Sequence, residues 1–225
     1  MRITIATVSL VTALLVTACG SEVRATDAVP SSSTTSTTIS APSTSTTTGK
    51  VSPVLISFPT KASVDAWTNV DDSVMGGISA SESTWIADGG VGALDFSGVL
   101  STESNGGFAS TLGPIDRSIG ERATGSSGLR INASGDGRTY LLQLRAGRND
   151  GERWIARFTP RTESASVTGG ELVPFAEFIA VNRFLGPITP SAPLDPSTIS
   201  QIGVYVLDAQ VGEFRLVLAS ISAEG

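Results

Sequence analysis

The chain of 225 residues contains no histidine. That removes the commonest general base and the commonest metal ligand from any mechanism. Its one cysteine is Cys19, so no internal disulfide forms and the later part of the chain carries no thiol nucleophile. Lysine occurs only at Lys50 and Lys61, and the formal net charge is −6. A nucleic-acid binder would show a basic excess, so nucleic acid is not an expected partner. Aromatic residues make up 6% of the chain, and charged residues 16% against 40% hydrophobic. Some of that apolar share belongs to the leader described next. A domain without disulfides must be held by its core. The roughly 170 residues available suffice, since a domain of about 150 residues buries about 70% of its unfolded surface.

Against the acidic average stands one basic strip, with seven arginines between Arg130 and Arg161. At the N-terminus, Met1-Arg2 precedes an apolar run over residues 3–16 that is too short to span a bilayer as a stable helix. Val16-Thr17-Ala18-Cys19 then resembles the bacterial lipobox, in which the Cys thiol is acylated and the chain is cut before it. Residues 1–18 are therefore expected to be a lipoprotein signal peptide, with Cys19 the lipidation site. An ordinary secretory signal that happens to contain a Cys is the plainer alternative. Residues 31–48 are almost entirely Ser and Thr. Such a segment cannot bury enough surface to offset its ordering entropy. Residues 19–50 are expected to form a disordered tether with a reach on the order of 30 Å. The expected location is the outer face of the bacterial cytoplasmic membrane, with the membrane itself a partner through Cys19.

Over residues 51–225 the hydrophobic period is two. Leu94, Phe96 and Leu100 alternate with Asp95, Ser97 and Val99; Tyr140, Leu142 and Leu144 with Leu141, Gln143 and Arg145. Trp154, Ala156 and Phe158 alternate with Arg153, Ile155 and Arg157, and Phe214, Leu216 and Leu218 with Arg215, Val217 and Ala219. Short alternating segments are half-buried strands. Asn105-Gly106-Gly107, Asp136-Gly137 and Asn149-Asp150-Gly151 tolerate the positive φ of tight turns. Residues 129–158 read as three successive antiparallel strands. No amphipathic helix of ten or more residues is expected, and Pro174-Phe175-Ala176-Glu177-Phe178 fits a single turn. The fold class is all-β, a sandwich or jelly roll.

Several phrases arrive in order: Trp67, then Asp71-Asp72-Ser73-Val74-Met75-Gly76-Gly77-Ile78-Ser79, Phe96-Ser97-Gly98-Val99-Leu100-Ser101 and Asn105-Gly106-Gly107-Phe108-Ala109-Ser110. Gly135-Asp136-Gly137-Arg138-Thr139-Tyr140, Val173-Pro174-Phe175, Gly203 and Gly212-Glu213-Phe214 follow. Together they resemble the complex I intermediate-associated protein 30 family over residues 53–222. The resemblance implies a galactose-binding-like jelly-roll β-sandwich, an architecture shared with many carbohydrate-binding modules. The best-known members assist assembly of respiratory complex I. The family's usual Trp shortly before the Pro-Phe phrase is missing here. An exported lipoprotein would also face away from the side of the membrane where that assembly occurs.

The candidate binding residues are Asp71, Asp72, Met75, Asn105 and Arg138, expected to meet on one rim with Arg138 pairing Asp72. Adjacent Asp71 and Asp72 could hold a hard cation, divide acid and base roles, or cap a turn. Residues 105–107 could expose backbone amides to a ligand or form a hairpin. Arg138 could clamp an anion or sit in a turn. Arg145, Arg153 and Arg157 form either a solvated face or an arginine-bearing surface for an acidic glycan or partner. No catalytic residue, cofactor or metal is expected. The function expected is a non-catalytic membrane-anchored binding module for a glycan, a wall polymer or a protein. An assembly factor or chaperone for a membrane complex is the alternative.

Overall fold

The alternating segments around Phe96, Leu142, Ala156 and Leu216 all form strands. The computed structural model describes residues 52–88, 90–147, 152–162, 169–189 and 191–225. Cys19, the leader, the tether and the Asn149-Asp150-Gly151 turn lie outside the described residues. In chain order the strands are β1 (Val54–Ser57), β2 (Thr68–Asp71), β3 (Ala80–Asp88), β4 (Val91–Leu100), β5 (Ala109–Leu112) and β6 (Gly128–Gly135). They continue with β7 (Tyr140–Ala146), β8 (Glu152–Phe158), β9 (Glu171–Pro174), β10 (Ile179–Val181), β11 (Gln201–Val206) and β12 (Gly212–Glu224). Two helices, α1 (Lys61–Asp65) and α2 (Ser118–Ala123), are too short to persist without tertiary support. That support for α2 comes from Ile119 and Ala123, both buried in the core. The turn expected around Phe175 forms over Phe175–Glu177.

The strands make two antiparallel sheets. The first runs β3-β4-β12-β6-β9, with β1 on β12, and the second runs β10-β8-β7-β11-β5-β2. One continuous core lies between them, containing Phe96, Leu142, Leu144, Trp154, Val204, Phe214 and Leu216. Each fully buried side chain of this size contributes about 1.5–3 kcal/mol. Trp154 is 6% exposed and belongs to this core, as its register with Ala156 and Phe158 implies.

Strand β12 shows how register serves the core. Phe214, Leu216 and Leu218 point inward at even positions, while Ile221 and Ala223 point inward at odd ones. Pairing with β6 shifts between Leu218 and Ser220. That bulge inserts one residue and reverses the facing of everything beyond it. Without it Ser220 and Ser222 would enter the core.

The expected run of three adjacent strands over residues 129–158 is corrected. Strands β7 and β8 do pair, Tyr140 opposite Phe158, but β6 lies in the other sheet between β12 and β9. The Asp136-Gly137-Arg138 turn is therefore a crossing between layers rather than a hairpin. Alternation specifies which face is buried, and Leu129 and Ile131 on β6 meet the same core from the opposite side to Leu142 and Leu144.

Where β2 and β3 bring the sheets together, polar bonds bridge the layers. Asn69 Nδ2 donates to Ser81 Oγ at 2.8 Å, the Ser81 N–H to Asp71 Oδ2 at 2.8 Å, and Ser83 Oγ to Thr111 Oγ1 at 3.0 Å.

Candidate functional site

At the end of the sandwich where β2 finishes and β3 begins, Asp72 opens a 3-10 turn, Asp72–Met75, and is completely buried. Its carboxylate accepts from the Ser79 N–H at 2.9 Å, Ser79 Oγ at 2.5 Å, the Gly107 N–H at 2.6 Å and the Phe108 N–H at 3.3 Å. Burial opposes the charge, but the Ser79 hydroxyl and the three backbone donors outweigh it and hold the carboxyl below the ordinary Asp range. Ser79 Oγ in turn accepts from the Ser101 N–H at 3.0 Å. Asp72 thus fastens the β2–β3 loop to the β4–β5 loop.

The glycines around it follow from that contact. A Cβ on Gly77 would lie 2.3 Å from Asp72 Oδ1, and one on Gly106 2.6 Å from Asp72 Oδ2. Asp71 is also committed, since Ser81 donates to it through both its backbone and, at 2.6 Å, its hydroxyl. Asn105 is exposed at φ +63°, and Met75 stands in solvent beside Val74 and Ile78.

Arg138 builds a second latch. Its Nε meets Asp136 Oδ2 at 3.1 Å, Nη2 donates to the Glu213 carbonyl at 2.7 Å, and Nη1 donates to the Gln210 carbonyl. Asp136 also accepts from the Arg138 N–H at 3.0 Å, Tyr140 Oη at 3.2 Å and the Arg215 N–H at 3.0 Å. The structure therefore brings Asp72 and residues 105–107 together, at the same end of the sandwich as Arg138, without the expected Asp72–Arg138 pair. Asp72 and Arg138 are each bonded to other partners instead. Among the described residues no three His, Cys, Asp or Glu side chains gather as a metal site would require.

The other notable surface is the face of the second sheet that points away from the core. It carries Leu141, Gln143 and Arg145 on β7, Arg153, Ile155 and Arg157 on β8, and Gln201 and Tyr205 on β11. One side is closed. Leu141, Ile155 and Val181 cluster under Leu185 and Leu207, and Arg157 forms a two-point ion pair with Asp208 at 2.8 and 3.0 Å. The rest is polar. Gln143 is 2% exposed, and Tyr205 has Ser110 and Gln143 as hydrogen-bonding neighbours. Burial pushes the Tyr205 phenol up from its ordinary value, with Arg153 and Arg145 opposing the shift. Arg145 stands directly opposite Arg153 and Gln201. Arg145 Nε and Gln201 Oε1 are buried without hydrogen-bond partners among the described residues.

Arg153 also reaches a groove of about 510 Å³ at the start of β8, whose walls include Trp154, Ile188, Pro193 and Glu152. The Trp154 indole N–H is buried there without a partner among the described residues. Tyr205, Gln143 and Gln201 were missed in the sequence. Their signal was present as every second residue on β7 and β11, but only the register of three strands shows that they share a surface with Arg145 and Arg153.

A family model for complex I intermediate-associated protein 30 matches residues 56–218. The chain belongs to this family. The phrases Val-Met-Gly-Gly, Asn-Gly-Gly-Phe and Gly-Asp-Gly-Arg-x-Tyr fall on the Asp72 and Arg138 latches. No curated protein gives a match. Among solved structures, the chain is similar to a family 11 carbohydrate-binding module from Clostridium thermocellum in complex with a β-1,3-1,4-mixed-linked tetrasaccharide. Identity is 16% and the TM-score 0.51, over 71% of this chain and 89% of that one. The family 11 module of the cellulosomal cellulase Lic26A-Cel5E of the same organism is similar at 15% identity and a TM-score of 0.50, over 71% and 88%. The family member described here is thus a galactose-binding-like jelly roll, as the sequence implied.

Proposed function

We propose that the folded domain is a non-catalytic binding module for a polysaccharide, tethered by an acylated Cys19 to the outer face of the bacterial cytoplasmic membrane. The observation that carries this reading is the outer face of the second sheet. There Arg145, Arg153 and Tyr205, half-buried on three adjacent strands above the buried Gln143, set polar groups that closure of the core does not require. Polysaccharide ligands need such an array, because each sugar offers hydroxyls to be bonded and C–H faces to be covered. Asp71 and Asp72, the carboxylates best placed in sequence for acid and base roles, are consumed by Ser81, Ser79 and the loop amides. The resemblance to carbohydrate-binding modules supports the fold on which such a face is built, and the glycan itself is our assignment.

The test is affinity electrophoresis of the full chain through gels containing soluble polysaccharides. Retardation without release of reducing ends is expected. Migration unchanged in every polysaccharide, or hydrolysis of one, would overturn the proposal.

Membership of the family supports a second reading, an assembly factor for a membrane complex. A protein partner would meet Val74, Met75 and Ile78, exposed on a loop that Asp72 holds in place. Crosslinking in intact cells distinguishes the two readings, since recovery of respiratory subunits favours assembly.

A further inference from the structure

The pairing of Arg145 with Arg153 makes no sense as a stabilising contact. Side chains directly opposite on antiparallel strands have Cβ atoms about 5 Å apart, and like charges at that spacing repel. Both residues are half-buried, so water screens them less than it would at a fully exposed site. Arginines placed this way normally recruit a carboxylate, and others on this domain do so: Arg157 takes Asp208, Arg130 takes Glu224 and Arg138 takes Asp136. Arg145 and Arg153 have no acidic partner among the described residues. Glu152, next in sequence, packs its carboxylate over Gly147, where a Cβ would lie 2.7 Å from it. The arrangement therefore concentrates positive charge at one spot of a chain whose net charge is −6.

Resting on the reading of this face as a polysaccharide site, we infer that the Arg145–Arg153 pair receives an oxyanion carried by the sugar, and that the ligand is an acidic polysaccharide. Two guanidinium groups on neighbouring strands can each bond a carboxylate oxygen, the fork geometry that distinguishes Arg from Lys. Gln201 adjoins the pair on β11, and the half-buried Tyr205 lies further along the same strand, above the buried Gln143. An anion between the arginines replaces repulsion by two charge-assisted contacts, so the feature that is unfavourable in the free protein becomes specificity in the complex. Uronate carboxylates and sulfate esters share this chemistry.

The experiment compares affinity electrophoresis of the full chain in polygalacturonate, in a sulfated galactan and in neutral mixed-linkage glucan, repeated with Arg145→Gln and Arg153→Gln. Retention is expected in at least one acidic polymer and at least tenfold weaker in neutral glucan. Each substitution should weaken retention at least tenfold while leaving the melting temperature unchanged or higher, because repulsion is relieved. Stronger retention in the sulfated polymer than in polygalacturonate supports the inference and assigns the anion to sulfate; the reverse supports it and assigns carboxylate. Should a variant fail to fold, competition against the unsubstituted chain decides: free galacturonate or galactose sulfate displaces the polymer, and galactose does not. Retention in neutral glucan that ignores both substitutions overturns the acidic assignment and leaves the polysaccharide reading standing. Absence of retention in all three polymers overturns both.

Discussion

Asp72 accepts the backbone N–H of Gly107 at 2.6 Å, a contact between loops 35 residues apart in the chain. The same carboxylate holds Ser79 and Phe108, so removing it strands several buried donors at once. Asp72→Ala is expected to cost on the order of 3 kcal/mol of stability. The effect carries a pH signature. The folded-state pKa lies below that of the unfolded chain, so the carboxylate's stabilisation is complete above the unfolded value of about 3.9 and is lost as pH falls through the folded one. The stability gap between the unsubstituted chain and Asp72→Asn, measured by denaturant titration, should be wide at neutral pH and shrink below about pH 4.

Gly77→Ala tests whether the family's Gly-Gly phrase is a packing requirement. Its added Cβ would collide with Asp72, whereas one on Gly90, at φ +84°, meets nothing within 4 Å. Gly90→Ala should cost about 1 kcal/mol, from its positive φ alone. Gly77→Ala should cost more, and part of that excess should vanish in an Asp72→Ala background. A double-mutant cycle by thermal melting measures the coupling, and strict additivity would count against the contact.

Arg138 and Asp72 share no partner, so their effects should be independent. Arg138→Ala loses the Asp136 ion pair and the carbonyls of Glu213 and Gln210, a cost of about 1–3 kcal/mol. The double variant with Asp72→Ala should add within about 0.5 kcal/mol. A larger coupling would restore the composite rim that the sequence suggested.

How much could be read beforehand depended on the range of the interaction. Alternation at Phe96, Leu142, Phe158 and Phe214 was enough for an all-β sandwich, since facing is a property of neighbouring residues. Sheet membership is not, and β6 was assigned to the wrong layer because Leu129 and Ile131 look the same from either side of a core. Asp72 was prominent in sequence, and its partner Ser79 is seven residues away, but Gly107 and Phe108 lie 35 and 36 residues along the chain. The glycines at 77 and 106 were the only local sign that something presses against the backbone there. Arg145 and Arg153 were legible as outward positions. That they face each other follows from the β7–β8 register, which alternation does not specify.

The membrane address proposed for Cys19 is tested by Cys19→Ala. Acylation requires the thiol, and two or more acyl chains make anchoring stable. The variant should remain unprocessed or leave the detergent phase on partitioning. Unchanged partitioning would show that Cys19 does not anchor the protein.

On the reading proposed above, the outward face of the second sheet binds the ligand while the family's loop phrases only shape the scaffold. Amide hydrogen exchange of the full chain, with and without a saturating acidic oligosaccharide, tests it most directly. Protection is predicted on Tyr140–Ala146, Glu152–Phe158 and Gln201–Val206, with the Asp72–Met75 turn and residues 105–108 unchanged. Protection confined to those two loops, or none anywhere, would contradict it.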